Sequence, residues 1–131
     1  MYVSKEVDYG LRTMVVVASS ISPFTAKEIS EKFKIPHNFI SLLLPKLKRQ
    51  NLVAIEKVEK REVLKLTKPA REITVLSVLE AINGPVDLII MNDTNRGDVR
   101  GFEALMGVWK GLTGSVENYL SGITLENLVL S

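Results

Sequence analysis

The chain has 131 residues, 46% of them hydrophobic, enough for one domain or for a small domain with an added oligomerising element. It contains no cysteine and a single histidine, which removes disulfides, thiolate metal ligands, a cysteine nucleophile, a His-based triad and a zinc site from consideration. The net charge of +2 is unevenly spread: residues 1–70 carry 13 Lys/Arg against 7 Asp/Glu, and residues 71–131 carry 4 against 8, so the first half is suited to a polyanion and the second to another task.

Runs such as "MVVVA" and "LLL" are far shorter than the about 20 apolar residues of a membrane span. Met1 leads straight into a charged, periodic segment rather than a signal peptide, and a cytoplasmic protein is expected. Val7, Leu11, Met14, Val15 and Ala18 recur at helical spacing, which predicts a helix over 4–19 with Ser4 as its N-cap. After the break "SSISPF", Thr25 and Glu28 form a capping box for a second helix with Ala26, Ile29 and Phe33 as its buried stripe. Pro36 suits a helix start, so a third helix is expected over about 37–50 with Phe39, Leu43, Leu44 and Leu47 inward. Asn51 stops it, being tolerant of the left-handed backbone. Pro45 lies inside this helix and removes the N–H that would bond the Ser41 carbonyl, so a bend or a loosened turn is expected.

The second and third helices follow one another too closely to lie side by side, and the third begins with the polar pair His37-Asn38. "LVAIEKV" and "EVLKLT" then alternate apolar and polar residues as two strands joined across Glu59-Lys60-Arg61. Three helices and a hairpin in this order make a winged helix-turn-helix, and a DNA groove is what the polar start of the third helix would meet. Farther on, "ITVLSVLEAINGP" is a helix capped by Thr74 and closed by Asn83-Gly84-Pro85. "DLIIMNDTNRGDVRG" has no period and reads as a loop; Asp87, Asp93 and Asp98 lack calcium-loop spacing. Phe102, Leu105, Trp109, Leu112, Val116, Tyr119 and Ile123 are spaced alternately by three and four, a heptad seam by which one helix packs on another of its kind. Gly107, Gly111 and Gly114 lie in that helix, either for close approach of a partner or as soft points. "ITLENLVL" echoes "ITVLSVL": an Ile, a capping Thr and a short apolar helix.

Taken together and in order, "DYGLR", "TAKEISEKFKIPHNFISLLLPKLKRQNLV", "EITVLSVLEAINGP" and "VWKGLTGSVENYLSGITLENLV" resemble the Rrf-two family of bacterial winged helix-turn-helix transcription regulators, the IscR, NsrR and CymR kind, over essentially the whole chain. Three departures stand out. The family's cluster-bearing members place three cysteines in the segment matching "DLIIMNDTNRGDVRGF", where this chain has none, so a cluster has no thiolates to hold it. The wing has no glycine and must be tighter and more charged. Lys34 stands where the family often has Gly; a left-handed backbone there carries strain of about 1 kcal/mol.

The expected architecture is mainly α with a small β-hairpin: a winged helix-turn-helix over 1–70, then a helical linker, an effector-type loop over about 86–98 and a dimerisation helix within 71–131. The expected function is sequence-specific repression from a pseudo-palindromic operator, bound as a homodimer without an iron–sulfur cluster or other cofactor. A winged-helix protein-interaction module that no longer reads DNA is the rival; no nucleophile, paired carboxylates or phosphate-cradling loop supports an enzyme. His37, Asn38 and Ser41 are the candidate base contacts, Asn being suited to adenine. Ser4, Lys5, Thr25, Lys27, Lys46, Lys57, Lys60 and Arg61 are the candidate phosphate contacts. Phe102, Leu105, Trp109, Leu112, Val116 and Tyr119 are the candidate dimer seam, with Trp109 read as a packing residue rather than a ligand platform. A small-molecule or protein effector would dock near residues 86–98.

Overall fold

The computed structural model describes residues 3–86 and 100–131. Helix α1 spans Lys5–Ser19, with the Ser4 hydroxyl accepting from the Val7 amide at 3.2 Å. It buries Val7, Gly10, Thr13 and Met14. Gly10 leaves room for a close neighbour from the second half: a Cβ there would stand 2.2 Å from the Ile82 Cδ1. Helix α2, Ala26–Phe33, opens with the expected reciprocal box between Thr25 and Glu28. Its stripe is narrower than expected: Ile29 is fully buried and Ala26 half-buried, while Phe33 is exposed and meets Phe24 edge-on.

Lys34 ends α2 in the left-handed conformation, φ 56° and ψ 40°, and Ser30 Oγ donates to the Ile35 carbonyl at 2.7 Å across the turn. Helix α3, His37–Arg49, buries Ile40, Leu43 and Leu47, with Phe39 and Leu44 half-buried at the rims. It runs through Pro45, whose missing N–H leaves the Ser41 carbonyl without its helical donor. Asn51 has φ 59°, and the bonds Leu52 N–H to Leu47 O and Asn51 N–H to Lys48 O close the helix in a Schellman motif. Strands β1, Val53–Val58, and β2, Arg61–Leu66, pair antiparallel from Val53–Leu66 to Val58–Arg61.

A single 3-10 turn, Ala70–Glu72, leads to α4, Val75–Asn83, which is closed at Gly84 with φ 80°. Helix α5, Phe102–Ser121, and the short α6, Leu125–Leu130, complete the described chain. One core joins Met14, Ile29, Leu43, Leu47 and Leu64 of the first half to Ile73, Val78, Ile82 and Leu125 of the second. Hydrophobic packing therefore runs across the boundary expected near residue 70, because α4 and α6 both pack on α1. The fold is a winged helix-turn-helix followed by a long C-terminal helix.

Candidate nucleic-acid interface

The outward side of α3 is built by exclusion. Ile40, Leu43 and Leu47 face α1, α2, α4 and β1, leaving His37, Asn38, Ser41, Leu42, Pro45, Lys48 and Arg49 exposed. The helix contains no carboxylate, and its last turn is basic. Pro36 provides no side-chain cap, and among the described residues no acceptor meets the amides of His37 and Asn38. A helix start of this kind offers free N–H groups and the positive end of the helix dipole to an anion.

The second part of the surface lies where α2 meets the wing. Thr25, Ala26, Lys27, Lys57, Lys60, Arg61 and Glu62 line an open groove of about 530 Å³, so five of the expected phosphate contacts share one concavity. Two links hold its walls together: a bridge between Thr25 and Val63, and the Leu64 amide donating to the Phe24 carbonyl at 2.8 Å. The wing tip is a two-residue turn with both Glu59 (φ 49°) and Lys60 (φ 68°) left-handed, the twist-matched geometry that normally calls for Asn-Gly. Arg61 does not project freely, because its guanidinium donates to Glu28 Oε1. The Glu28 carboxylate also accepts from the Thr25 amide at 2.8 Å; that bond is the largest influence on its pKa and, helped by Arg61, outweighs the opposing desolvation to hold it below the ordinary glutamate value.

Not every expected contact joins these surfaces. Lys46 is half-buried on the inner side of α3, where its ammonium lies 3.6 Å from Glu6 and donates to the Ile82 carbonyl at 3.3 Å. It ties α3 to α1 and α4, an inward role that its residue type did not announce. Ser4 is occupied as the α1 cap, and Lys5 is exposed beside it. Lys48 and Arg49, which the residue-type reading passed over, stand on the outer face. Stepping on from Ser41 and Asn38 by helical intervals, through Pro45 and Leu42, would have found both.

The α5 helix has no fully buried residue along its 20 positions. Leu105, Trp109, Leu112 and Tyr119 of the expected seam are exposed, Tyr119 at 71%, while Phe102 and Val116 are half-buried. Gly107 and Gly114 sit two residues from the seam positions on either side and hence opposite the seam, and Gly111, next to Leu112, lies on the helix flank; nothing is near the place a Cβ would take at any of the three. They do not line the seam. The expected effector loop falls almost wholly outside the described residues, as do Asp87, Asp93 and Asp98.

Residues 3–131 match the family model Rrf2, described as "Iron-dependent Transcriptional regulator". The chain belongs to the Rrf2 family. An HTH-type transcriptional regulator of Mycobacterium tuberculosis is 29% identical to it over 98% of this chain and 81% of that protein. Among solved structures, CymR, the global cysteine regulator of B. subtilis, superposes with a TM-score of 0.81 at 21% identity, covering 98% of this chain and 96% of that one. The T. potens IscR superposes at 0.77 with 21% identity, covering 98% and 86%. This Rrf2 chain is a DNA-binding transcription regulator. The iron in the family's description finds no matching thiolates: the sequence holds no cysteine, its one histidine lies on the outer face of α3, and among the described residues no three His, Asp or Glu converge. An iron–sulfur cluster held by cysteine does not fit this chain.

Proposed function

We propose that the protein is a homodimeric repressor that reads a pseudo-palindromic operator, with α3 in the major groove and the α2–wing groove seated on the phosphate backbone. The carboxylate-free outer face of α3, opening on uncapped amides, carries this reading. His37, Asn38 and Ser41 supply donors and acceptors to base edges, while Thr25, Lys27, Lys57, Lys60, Lys48 and Arg49 hold phosphates. Residues 1–70 supply the DNA contacts and residues 71–131 the assembly, α5 pairing with its copy to set the distance between half-sites. Control acts in the cytoplasm without a cluster, through an effector docking near residues 86–98. No catalytic role is proposed.

Selection of bound fragments from a genomic library tests the reading. A recurrent inverted repeat is expected, bound with a log–log salt slope of about −5 if six phosphate contacts form. Recovery of unrelated fragments, or no retention at low salt, would overturn it.

A further inference from the structure

Leu42 stands on the outward face of α3, one turn beyond Asn38 and next to Ser41, with 46% of its surface exposed. Pro45, three residues on, is exposed on the same side. A lone exposed leucine is ordinary on a protein surface. This one is set apart by its neighbours. The core positions of α3 are filled by Ile40, Leu43 and Leu47, and Leu42 does not join the cluster they form. It is an apolar residue among groups able to bond base edges, where a polar side chain would cost the fold nothing.

In the major groove only thymine presents a methyl group, and apolar side chains recognise it by contact. Residues four apart on a helix have Cβ atoms about 5–6 Å apart. Bases along a strand are spaced by about 3.4 Å, so side chains one turn apart meet base pairs one or two steps apart. We infer that Leu42 reads the 5-methyl group of a thymine one or two base pairs from the pair engaged by Asn38, which makes Leu42 a specificity-determining residue. The inference rests on α3 lying in the major groove, as proposed above.

The test takes the tightest-binding duplex selected by the intact protein and replaces each thymine in turn by deoxyuridine, which deletes only the methyl. One position per half-site should lose about fourfold in affinity, the worth of one buried methyl. In Leu42→Ala that penalty should vanish while penalties elsewhere persist. Leu42→Gln should shift the selected base at that position towards adenine, since Gln pairs with the N6/N7 edge. Leu42 is exposed and outside the core, so both variants keep the fold, and circular dichroism confirms it. Uniform indifference to deoxyuridine in the parent protein, or an unchanged penalty in Leu42→Ala, would overturn the inference while leaving DNA binding intact. Failure to select any duplex would instead overturn the binding reading, and the inference with it.

Discussion

Thr74 and Thr124 face one another in an isolated antiparallel bridge, each at the N-cap of its own helix. The Val75 amide donates to the Ile123 carbonyl at 2.8 Å and the Leu125 amide to the Ile73 carbonyl at 2.9 Å. Each hydroxyl caps in turn, Thr74 accepting from Ser77 at 3.0 Å and Thr124 from Asn127 at 3.1 Å. The far end of α5 is thereby fastened to the start of α4, which packs on both α1 and α3. The end of α5 is thus joined through α4 to α3, the helix proposed to meet DNA.

Thr124→Ala should lower unfolding free energy by about 1 kcal/mol through loss of the cap. The bridging backbone bonds remain available, so secondary structure content should not change. Urea denaturation followed by circular dichroism is the measurement; a loss of helix in the folded baseline would mean that the cap holds more than its own helix.

Lys34 occupies a left-handed site without the freedom of glycine. Lys34→Gly should stabilise the protein by about 0.5–1 kcal/mol, the relief of backbone strain exceeding the extra entropy of an unfolded glycine. Thermal melts would show a higher midpoint, and a lower one would mean that the lysine side chain itself braces the turn.

The helices and the wing were legible because their signals are local: Thr25-x-x-Glu28 states a helix start, and Asn51 states a stop. The echo of "ITVLSVL" in "ITLENLVL" gave both threonine caps but not their pairing, since a bridge between residues fifty apart depends on how α5 returns to α4. The inward contacts of Lys46 were illegible for a similar reason. Its residue type fits a phosphate, and only the packing of α3 on α1 and α4 turns it toward Glu6 and the Ile82 carbonyl.

Lowering the pH should expose the Glu28 arrangement. Its folded pKa is depressed, so the stabilisation is complete above the unfolded value of about 4.3 and is lost as pH falls through the lower folded value. In Glu28→Gln the side-chain oxygen still accepts from Thr25, but the charge facing Arg61 is gone. The urea midpoint of this variant should fall less steeply below about pH 4.3 than that of the parent. Its affinity for any duplex at neutral pH should rise, because a negative charge leaves the basic groove and Arg61 is released. Parallel pH profiles of parent and variant would refute the assignment.

Lys27 and Lys60 line the same groove from its two walls, one on α2 and one on the wing. Replacing both with Gln should weaken selected and unselected duplexes alike and make the log–log salt slope shallower by about 2. Fluorescence anisotropy titrations at several salt concentrations supply both quantities. A changed base preference with an unchanged slope would mean that the wing reads bases rather than phosphates.

Trp109 and Leu112 are 38% and 40% exposed on the seam of α5 among the described residues. A charge introduced there meets water in a single chain but would be buried without a partner between two copies. Trp109→Glu should therefore yield a folded protein of 14.6 kDa rather than an unfolded one, its melting transition close to that of the parent at low concentration. Light scattering should give twice that mass for the parent at micromolar concentration. Binding to a single half-site should survive in the variant, whereas the gain from linking two half-sites should disappear, because that gain depends on the second head being held near its site by α5. A parent protein that scatters as a monomer, or a variant that still binds the full operator as tightly as the parent, would place the dimer contact elsewhere than on this seam.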